Sequence, residues 1–315
     1  MILHYLLSSV YDMMLLTVSN GHNDAETNDG KRQAEGFIMA YFTDAQYRTK
    51  LFYEEIGEGI PFLLIHGWAI DHRFLEDAME PAFSLASKSF RRIYVDVPGM
   101  GVSEPGLVKN GDGIVEVLMH LMDALSPGEK FYVGGNSFGA AVSRAMTAKY
   151  PDRLLGAVLL VPATSLSVRL PVKEGGFRRD EAFLATLPEK ERDAFCAMNV
   201  NLTAPAFERY QKGVYPSVQI NENNEFMHHV LRGSFSFDID KALQKHPFKE
   251  PTLILTAKYD QAVGYEAQFT WLSDYPQSTY MVIDNAGHNV HVDQPECFVY
   301  AVAGWLRMLF QDRQD

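Results

Sequence analysis

The sequence has few cysteines and none of the spacings that bind structural metals. Only Cys196 and Cys297 occur in 315 residues, and there is no CxxC pair, no zinc-ligand spacing and no HExxH sequence. A disulfide framework, a structural zinc site and a zinc peptidase site are therefore excluded. One disulfide stays open, but we expect two buried, reduced thiols, no metal and no cofactor.

Positive charge is also scarce. Lysine and arginine number 28 against 40 aspartates and glutamates, which gives a net charge of −12. Such an acidic chain is poorly suited to binding nucleic-acid phosphates or an anionic membrane surface. We therefore expect neither a nucleic-acid partner nor stable membrane insertion. The remaining composition, 47% apolar and 22% charged, is ordinary for a globular protein, and the length allows one large α/β domain or two smaller ones.

Residues 1–38 differ from the rest of the chain. Residues 1–18 are mostly apolar but lack a basic flank, and residues 19–36 are polar and rich in turn formers. This pattern predicts an unassigned extension with a disordered linker. Three interpretations stay open: a start assigned upstream of a native Met39, an atypical export signal or anchor, and an ordered extra element. We expect a cytoplasmic protein, with the signal or anchor as the alternative.

From residue 39 onward, short apolar runs alternate with helical segments. Several runs are continuous and rich in β-branched residues, which is typical of strands buried on both faces. Strands are predicted at residues 50–56, 61–65, 92–95, 131–133, 154–161, 252–256 and 279–283, and helices at 112–125, 137–150 and 296–310. This alternation indicates an α/β fold, in which a mostly parallel sheet carries helices on both faces.

Residues 165–250 break the alternation. They contain no convincing strand, their charges balance, and ten aromatic side chains fall within them. An insertion of this length is typical of a helical cap or lid, with an outer helix layer over an ordinary core as the alternative. We therefore expect a core made of residues 39–164 and 251–315, with residues 165–250 as the inserted cap.

The strongest chemical signal is G-x-S-x-G at residues 135–139. A buried strand precedes Ser137 and a helix of small residues follows it, so the serine falls on a sharp strand-to-helix turn. Side chains at Gly135 and Gly139 would collide across such a turn. The pattern therefore predicts that Ser137 is a nucleophile, exposed above the sheet at the positive end of the helix dipole. The alternative is a glycine-rich helix start with a capping serine.

A serine hydroxyl needs a base, and the base needs an acid that orients it. His288 follows a predicted strand near the end of the chain and is the candidate base, while His291 is assigned a structural or rim position. Asp260 ends the preceding strand and is the candidate acid. Asp284 is its competitor, but its place four residues before His288 favours a hydrogen bond to the backbone of its own loop.

The acyl chemistry of a serine nucleophile also needs two backbone N–H donors for the developing oxyanion. Phe138, directly after the nucleophile, is one candidate donor, and Trp68, in the loop after an early strand, is the other. Gly67 allows close backbone approach in that loop, and His66 is assigned to organising it. The side chains expected to line the pocket are those of Trp68, Asn136 and Phe138.

Five motifs stand in the order found in α/β-hydrolases: HGW at 66–68, DVPGMGVSEP at 96–105, GNSFG at 135–139, KYD at 258–260 and AGHNVHVDQP at 286–295. The chain resembles this superfamily over about residues 40–312. The resemblance implies an eight-stranded, mostly parallel sheet with a helical cap between strands six and seven. Within the superfamily the chain looks most like bacterial esterases, meta-cleavage-product hydrolases and proline iminopeptidase-like enzymes.

Two details bear on this resemblance. Asn136 is seen in the carbon–carbon hydrolases, whereas the loop at His66–Ala69 and Ala140 depart from family patterns. Serine rather than aspartate at position 137 argues against haloalkane dehalogenases and soluble epoxide hydrolases.

The sequence thus predicts a serine hydrolase of small to medium carboxylic esters, acting on a small-molecule substrate through an acyl-enzyme. Alternatives are carbon–carbon cleavage with the same triad, an aminopeptidase with Glu208 or Glu225 in its pocket, and a hydrolase-fold protein that binds without turnover. A carbon–carbon substrate carries a carboxylate, so cationic residues of the insertion are expected to face the pocket, with Arg169, Arg178, Arg179 and Arg232 as candidates. The oligomeric state stays open.

Overall fold

A computed structural model describes residues 36–164, 178–221, 226 and 238–310. Its centre is a sheet of eight strands in the order β1-β2-β4-β3-β5-β6-β7-β8. Strand β2 pairs antiparallel with both β1 and β4. All the other pairings in this sheet are parallel. The strands are β1 (Phe37–Asp44), β2 (Thr49–Ile56), β3 (Ile60–Ile65), β4 (Phe90–Val95), β5 (Phe131–Asn136), β6 (Leu154–Leu160), β7 (Thr252–Ala257) and β8 (Ser278–Ile283). The predicted eight-stranded α/β fold is confirmed.

The strands form where the sequence offers continuous apolar runs. Every residue of β5 and β7 is buried, because helices cover both faces of the parallel part of the sheet. At the antiparallel edge, β1 exposes Ile38, Met39 and Tyr41. This strand begins at Phe37, two residues before the expected start of regular structure, so its first residues fall within the predicted extension.

Helices cover both faces of the sheet. One core cluster packs side chains of α1 and α11 against the sheet, and the other packs those of α2 and α3. The helices are α1 (His72–Phe83), α2 (Gly111–Leu125), α3 (Phe138–Lys149), α4 (Glu181–Leu184), α5 (Glu189–Met198), α6 (Ala204–Arg209), α7 (Tyr215–Gln219), α8 (Ile239–Lys245), α9 (Glu266–Phe269), α10 (Val290–Asp293) and α11 (Pro295–Met308). Short 3-10 turns cover Pro151–Arg153 and Thr270–Ser273, and Tyr210–Val214 forms a π turn.

The described parts of the insertion after β6 are mostly helical, as predicted. Phe195, Phe207 and Tyr210 pack together with ring centroids 5.2–6.1 Å apart and join the core of the α1 face. The expectation of no strand here is wrong for four residues, since Arg178–Arg179 and Asn201–Leu202 form a short parallel pair. Two-residue strands are too short to carry a periodic pattern in the sequence.

Both cysteines are free thiols. Cys196 is half-buried and Cys297 is exposed, so the expected burial is wrong for Cys297, which lies on the outer side of α11. Within the described ranges, no helix combines the length and the apolar character that crossing a bilayer requires.

Candidate active site

Ser137 occupies a strained turn between β5 and α3. Its φ of 52° and ψ of −114° lie in a region that side chains other than glycine rarely adopt. The surrounding backbone fixes this conformation: the Ser137 N–H donates to the carbonyl of Leu160 at 2.9 Å, and the Ser137 carbonyl accepts two further backbone N–H groups at 3.1 Å. The Ser137 side chain makes no capping hydrogen bond, so the alternative of a capping serine is wrong.

The two glycines of the turn are required by close backbone contacts. A Cβ on Gly139 would lie 2.0 Å from the carbonyl oxygen of Ile65, and one on Gly135 would lie 2.4 Å from the carbonyl carbon of Gly139. Neither neighbour can move, because each belongs to the backbone of a buried element. Larger side chains at these two positions would therefore collide with the backbone, as predicted. With glycine at both, the turn packs directly against the end of β3.

His288 and Asp260 meet at the carboxyl ends of β7 and β8. The Nδ1 of His288 lies 2.7 Å from Oδ2 of Asp260, and the aspartate side chain is fully buried. The other oxygen, Oδ1, accepts the N–H groups of Ala262 and Val263 at 2.8 and 3.0 Å. With Nδ1–H directed at the carboxylate, Nε2 of His288 is the nitrogen that can take a proton.

Asp284, the competing acid, points elsewhere. Its carboxylate is exposed and pairs with the ammonium of Lys258 at 3.0 Å, which lowers the pKa of Asp284 and raises that of Lys258. The backbone of Asn285, in the same loop, lowers the pKa of Asp284 further.

The structure brings Ser137 and His288 to the same edge of the sheet without joining them by a hydrogen bond among the described residues. Ser137 follows β5, two strands away from β7, and its neighbour Asn136 lines a narrow cavity together with His288. In enzymes without substrate, catalytic hydrogen bonds are often long and tighten only when substrate binds. The arrangement thus offers a strained hydroxyl and an oriented imidazole in one region.

The loop after β3 brings the side chain of Trp68 against that of Phe138, the two residues whose backbone N–H groups are the candidate donors. The rings of Trp68 and Phe138 pack edge to face with centroids 5.2 Å apart. A Cβ on Gly67 would lie 2.9 Å from the side-chain nitrogen of Asn136 and 3.3 Å from its carbonyl oxygen, so a larger residue here would crowd Asn136. His66 is fully buried: its Nδ1 donates to the carbonyl of Gly67, and its Nε2 accepts the N–H of Val97. Burial lowers the pKa of His66, which organises the loop as expected and stays neutral.

A second group of buried charges was not predicted. The carboxylate of Asp96 accepts the backbone N–H of His72 at 2.9 Å, its Nδ1–H at 2.7 Å and the N–H of Val102 at 2.9 Å. Burial opposes protonation of His72, but hydrogen bonds to Asp96 and Glu54 outweigh it and raise the pKa to about 10. The signal in the sequence was the DVPGMGVSEP motif, which contains Asp96.

Asp71, His72 and Asp96 approach within the spacing of metal ligands. Their charges are already balanced by cations, however. His72 is protonated, and the guanidinium of Arg73 forks onto Asp71 with its shortest contact at 2.6 Å. A metal ion would have to displace the proton of His72 and the guanidinium of Arg73. These three residues therefore do not favour metal binding.

His291 takes the structural position expected of it. Its ring packs between Phe74 and Phe298, with centroids 4.7 and 6.0 Å away, and burial lowers its pKa to about 4. Asp293, two residues on, was missed by the sequence analysis although it lies within the AGHNVHVDQP motif. Its carboxylate is buried and accepts three backbone N–H groups.

The candidates in the insertion divide into two groups. Arg178, Arg179 and Glu208 are exposed, and Arg179 is paired with Glu181 at 2.7 Å. The others lie outside the described residues; they are Arg169, Glu225 and Arg232.

Comparisons with known proteins bear on the family to which the chain belongs. A family model described as alpha/beta hydrolase fold matches residues 60–295. A 2-hydroxymuconate semialdehyde hydrolase of Pseudomonas putida is 27% identical over 277 residues, which cover 83% of this chain and 92% of the relative. Lipase 1 of Psychrobacter immobilis is 25% identical over 250 residues, 76% of this chain and 75% of the lipase.

Among solved structures, an α/β superfamily hydrolase from Oenococcus oeni PSU-1 matches with a TM-score of 0.74 at 25% identity, covering 86% of this chain and 99% of that one. The family match spans most of the sheet and every motif around Ser137, Asp260 and His288. The chain therefore belongs to the α/β-hydrolase fold family and is a hydrolase.

Proposed function

We propose that the protein is a serine hydrolase that cleaves small to medium carboxylic esters. The observation that carries this proposal is the buried hydrogen bond between His288 and Asp260, at the sheet edge where the strained turn presents Ser137. Acyl transfer requires a reactive serine hydroxyl and an oriented imidazole, and here a half-buried, strained serine and such an imidazole lie at the same edge of the sheet.

The proposed reaction begins when Oγ of Ser137 attacks the ester carbonyl carbon. The Oγ–C bond forms as the hydroxyl proton passes to Nε2 of His288, and Asp260 stabilises the imidazolium. Backbone N–H groups of Trp68 and Phe138 donate to the oxyanion. The bond between the carbonyl carbon and the alkoxy oxygen then breaks, and the alcohol leaves with the proton from His288. Water, deprotonated in turn by His288, attacks the acyl carbon. The acyl–Oγ bond breaks, Oγ of Ser137 takes the proton back from His288, and the carboxylic acid is released.

We further propose that the insertion after β6 acts as a cap over this site. Its described part is hydrogen-bonded to α1 and to the loop after β4: the guanidinium of Arg73 donates to the carbonyl of Pro216 at 2.7 Å, and the N–H of Gly101 donates to the side-chain oxygen of Asn221 at 2.9 Å. These contacts support a fixed position for residues 210–221 beside α1.

Carbon–carbon bond cleavage is the second candidate function. The 27% identity to the 2-hydroxymuconate semialdehyde hydrolase and the presence of Asn136 before the nucleophile favour it. The same triad would serve, but the substrate carboxylate would need a cation in the pocket. Arg178 and Arg179, the described candidates, are both exposed, so the described insertion supports the ester more than the carboxylate-bearing substrate.

The test is Ser137→Ala assayed on p-nitrophenyl acetate and butyrate. We expect kcat/KM to fall by about 10⁴-fold or more, with loss of fluorophosphonate labelling, because no other nucleophile replaces the hydroxyl. Ser143→Ala is the matched control, since Ser143 lies on α3, which follows the Ser137 turn, but is fully buried and donates its hydroxyl to the carbonyl of Gly139. Undiminished hydrolysis by Ser137→Ala would contradict the mechanism.

A parallel assay separates the candidate functions. The wild type is offered a dienol acid, whose cleavage changes its absorbance. Faster turnover of the dienol acid than of either ester would favour carbon–carbon cleavage. A wild type that turns over neither class and is not labelled by fluorophosphonate would be a binding protein.

A further inference from the structure

Asp293 is a buried carboxylate that the proposed reaction does not use. It ends α10 and is 1% exposed. Its Oδ2 accepts the N–H groups of Gly287 at 2.7 Å and Val200 at 3.0 Å, and its Oδ1 accepts the N–H of Asn201 at 3.0 Å. A single side chain thus satisfies three backbone donors that would otherwise be buried without partners.

The three donors come from two different segments. Gly287 directly precedes His288, whereas Val200 and Asn201 belong to the insertion, just after α5. Two more hydrogen bonds join the same segments: the N–H of Asn289 donates to the carbonyl of Met198 at 3.2 Å, and the side-chain amide of Asn201 donates to the carbonyl of Asp293 at 3.2 Å. Both neighbours of His288 in the chain are therefore held by residues 198–201 or by Asp293.

The backbones approach so closely that the contact tolerates no side chain. A Cβ on Gly287 would lie 2.8 Å from the carbonyl oxygen of Met198 and 3.3 Å from Oδ2 of Asp293. A displacement of residues 198–201 would consequently move the backbone that carries His288. The position of that backbone matters for the reaction rate, because a catalytic group that is misplaced by about 1 Å can slow a reaction by about 100-fold.

The electrostatics of Asp293 differ from those of a stabilising ion pair. Burial raises its pKa to about 6, although the three N–H donors and the nearby Arg209 oppose that rise. Arg209 does not pair with the carboxylate; its Nε donates to the carbonyl of Val292 at 2.9 Å. At neutral pH the ionised carboxylate is therefore less favourable in the folded state than the protonated acid would be, although its oxygens still satisfy three backbone donors.

We propose that Asp293 is a positioning residue: it fixes the turn bearing His288 against residues 198–201 and so keeps the imidazole aligned with Asp260 and Ser137. This proposal rests on the proposed function, because it concerns the same proton transfer. The proposal also implies that the proton transfer depends on the position of residues 198–201 of the insertion.

The test compares Asp293→Asn with Asp44→Asn. Asparagine keeps the shape of Asp293 but turns one acceptor oxygen into an NH₂ group that faces a backbone N–H. Asp44 is the matched control: it is equally buried and accepts the N–H of Tyr47 and the Nδ1–H of His120, but on β1 at the far edge of the sheet.

For Asp293→Asn we expect kcat to fall at least about tenfold, with KM within about twofold of wild type. The strongly deshielded proton NMR signal of the His288 Nδ1–H, which reports its hydrogen bond to Asp260, should shift or broaden. Asp44→Asn should change neither quantity. Should Asp293→Asn not fold, Asp293→Glu replaces it with the same expected outcomes, because one extra methylene displaces the carboxylate from its donors.

Two results would overturn the proposal. One is a kcat within twofold of wild type together with an unchanged NMR signal. The other is an equal loss of kcat in the Asp293 and Asp44 variants with that signal intact, which would indicate a merely structural role. The signal is measured without substrate, so it still tests the positioning of His288 if active Ser137→Ala contradicts the proposed function.

Discussion

Two histidine–aspartate pairs lie at the carboxyl edge of the sheet. Their hydrogen bonds have the same length, but their surroundings differ. Asp260 follows β7 and contacts His288, which follows β8. Asp96 follows β4 and contacts His72, the first residue of α1. In both pairs, Nδ1 lies 2.7 Å from a carboxylate oxygen. The geometry of the hydrogen bond alone therefore does not tell which histidine can act as a base.

The second ring nitrogen makes the difference. Nε2 of His72 faces a further carboxylate, Glu54, at 3.5 Å, and the two acids together raise the pKa of His72 to about 10 despite its burial. His72 is consequently an imidazolium at neutral pH and has no nitrogen free to accept a proton. Among the described residues, the carboxylate that contacts His288 is that of Asp260, whose other oxygen is occupied by two backbone N–H groups. Of these two histidines, His288 is therefore the one whose Nε2 is not paired with a second acid.

The largest expected effect comes from breaking the His288 pair. Asp260→Asn should lower kcat by about 10⁴-fold, because the amide NH₂ cannot accept the Nδ1–H and the ring takes the wrong tautomer. Asp96→Asn removes the equivalent acceptor from His72 and should lower kcat less than tenfold. The measurement is kcat on p-nitrophenyl butyrate, with folding checked by circular dichroism. Equal losses in the two variants would contradict the distinction between the pairs.

The sequence could predict the first pair because each member follows a strand. Ser137, Asp260 and His288 lie at or within a few residues of a strand end, and parallel strands bring such positions to one edge. The second pair depends on elements that sequence patterns describe poorly. Glu54 reaches it only because β2 runs antiparallel to β4 in a register that pairs Glu54 with Tyr94.

Local signals also failed around α1, which is absent from the predicted elements. Its buried residues recur at helical spacing, but Pro81 lies within its last turn, and proline usually marks the end of a helix. Asp293 was missed for a different reason: its three partners are backbone N–H groups, and two of them belong to a segment about ninety residues earlier. A backbone donor leaves no residue type by which a sequence pattern could identify it.

The next largest effect is expected on stability, when the second pair is broken. His72→Gln leaves Glu54 and Asp96 buried without their cation, so the free energy of unfolding at pH 7 should fall by about 3–5 kcal/mol. The kcat of the folded fraction should stay within tenfold of wild type. Urea unfolding followed by circular dichroism measures the first quantity, and a variant as stable as wild type would show that His72 is not charged.

The same variant tests the sign of the pH dependence. The pKa of His72 is raised from 6.5 to about 10 in the folded state, so its contribution to stability is complete below pH 6.5. It is lost progressively as pH rises from 6.5 to about 10. Urea midpoints of wild type and His72→Gln should therefore differ most at pH 6 and converge at pH 10, and a difference that grows with pH would contradict this assignment.

The smallest effect is expected at Asp284, the acid nearest to His288 along the chain. Its carboxylate is exposed and pairs with Lys258, whereas Asp260 occupies Nδ1 of His288. Exposed ion pairs contribute little to stability, and one that does not touch the imidazole has no means of setting its tautomer. Asp284→Asn should therefore keep kcat within twofold of wild type on p-nitrophenyl butyrate. A loss comparable to that of Asp260→Asn would mean that sequence proximity, and not the buried contact, selects the acid that serves His288.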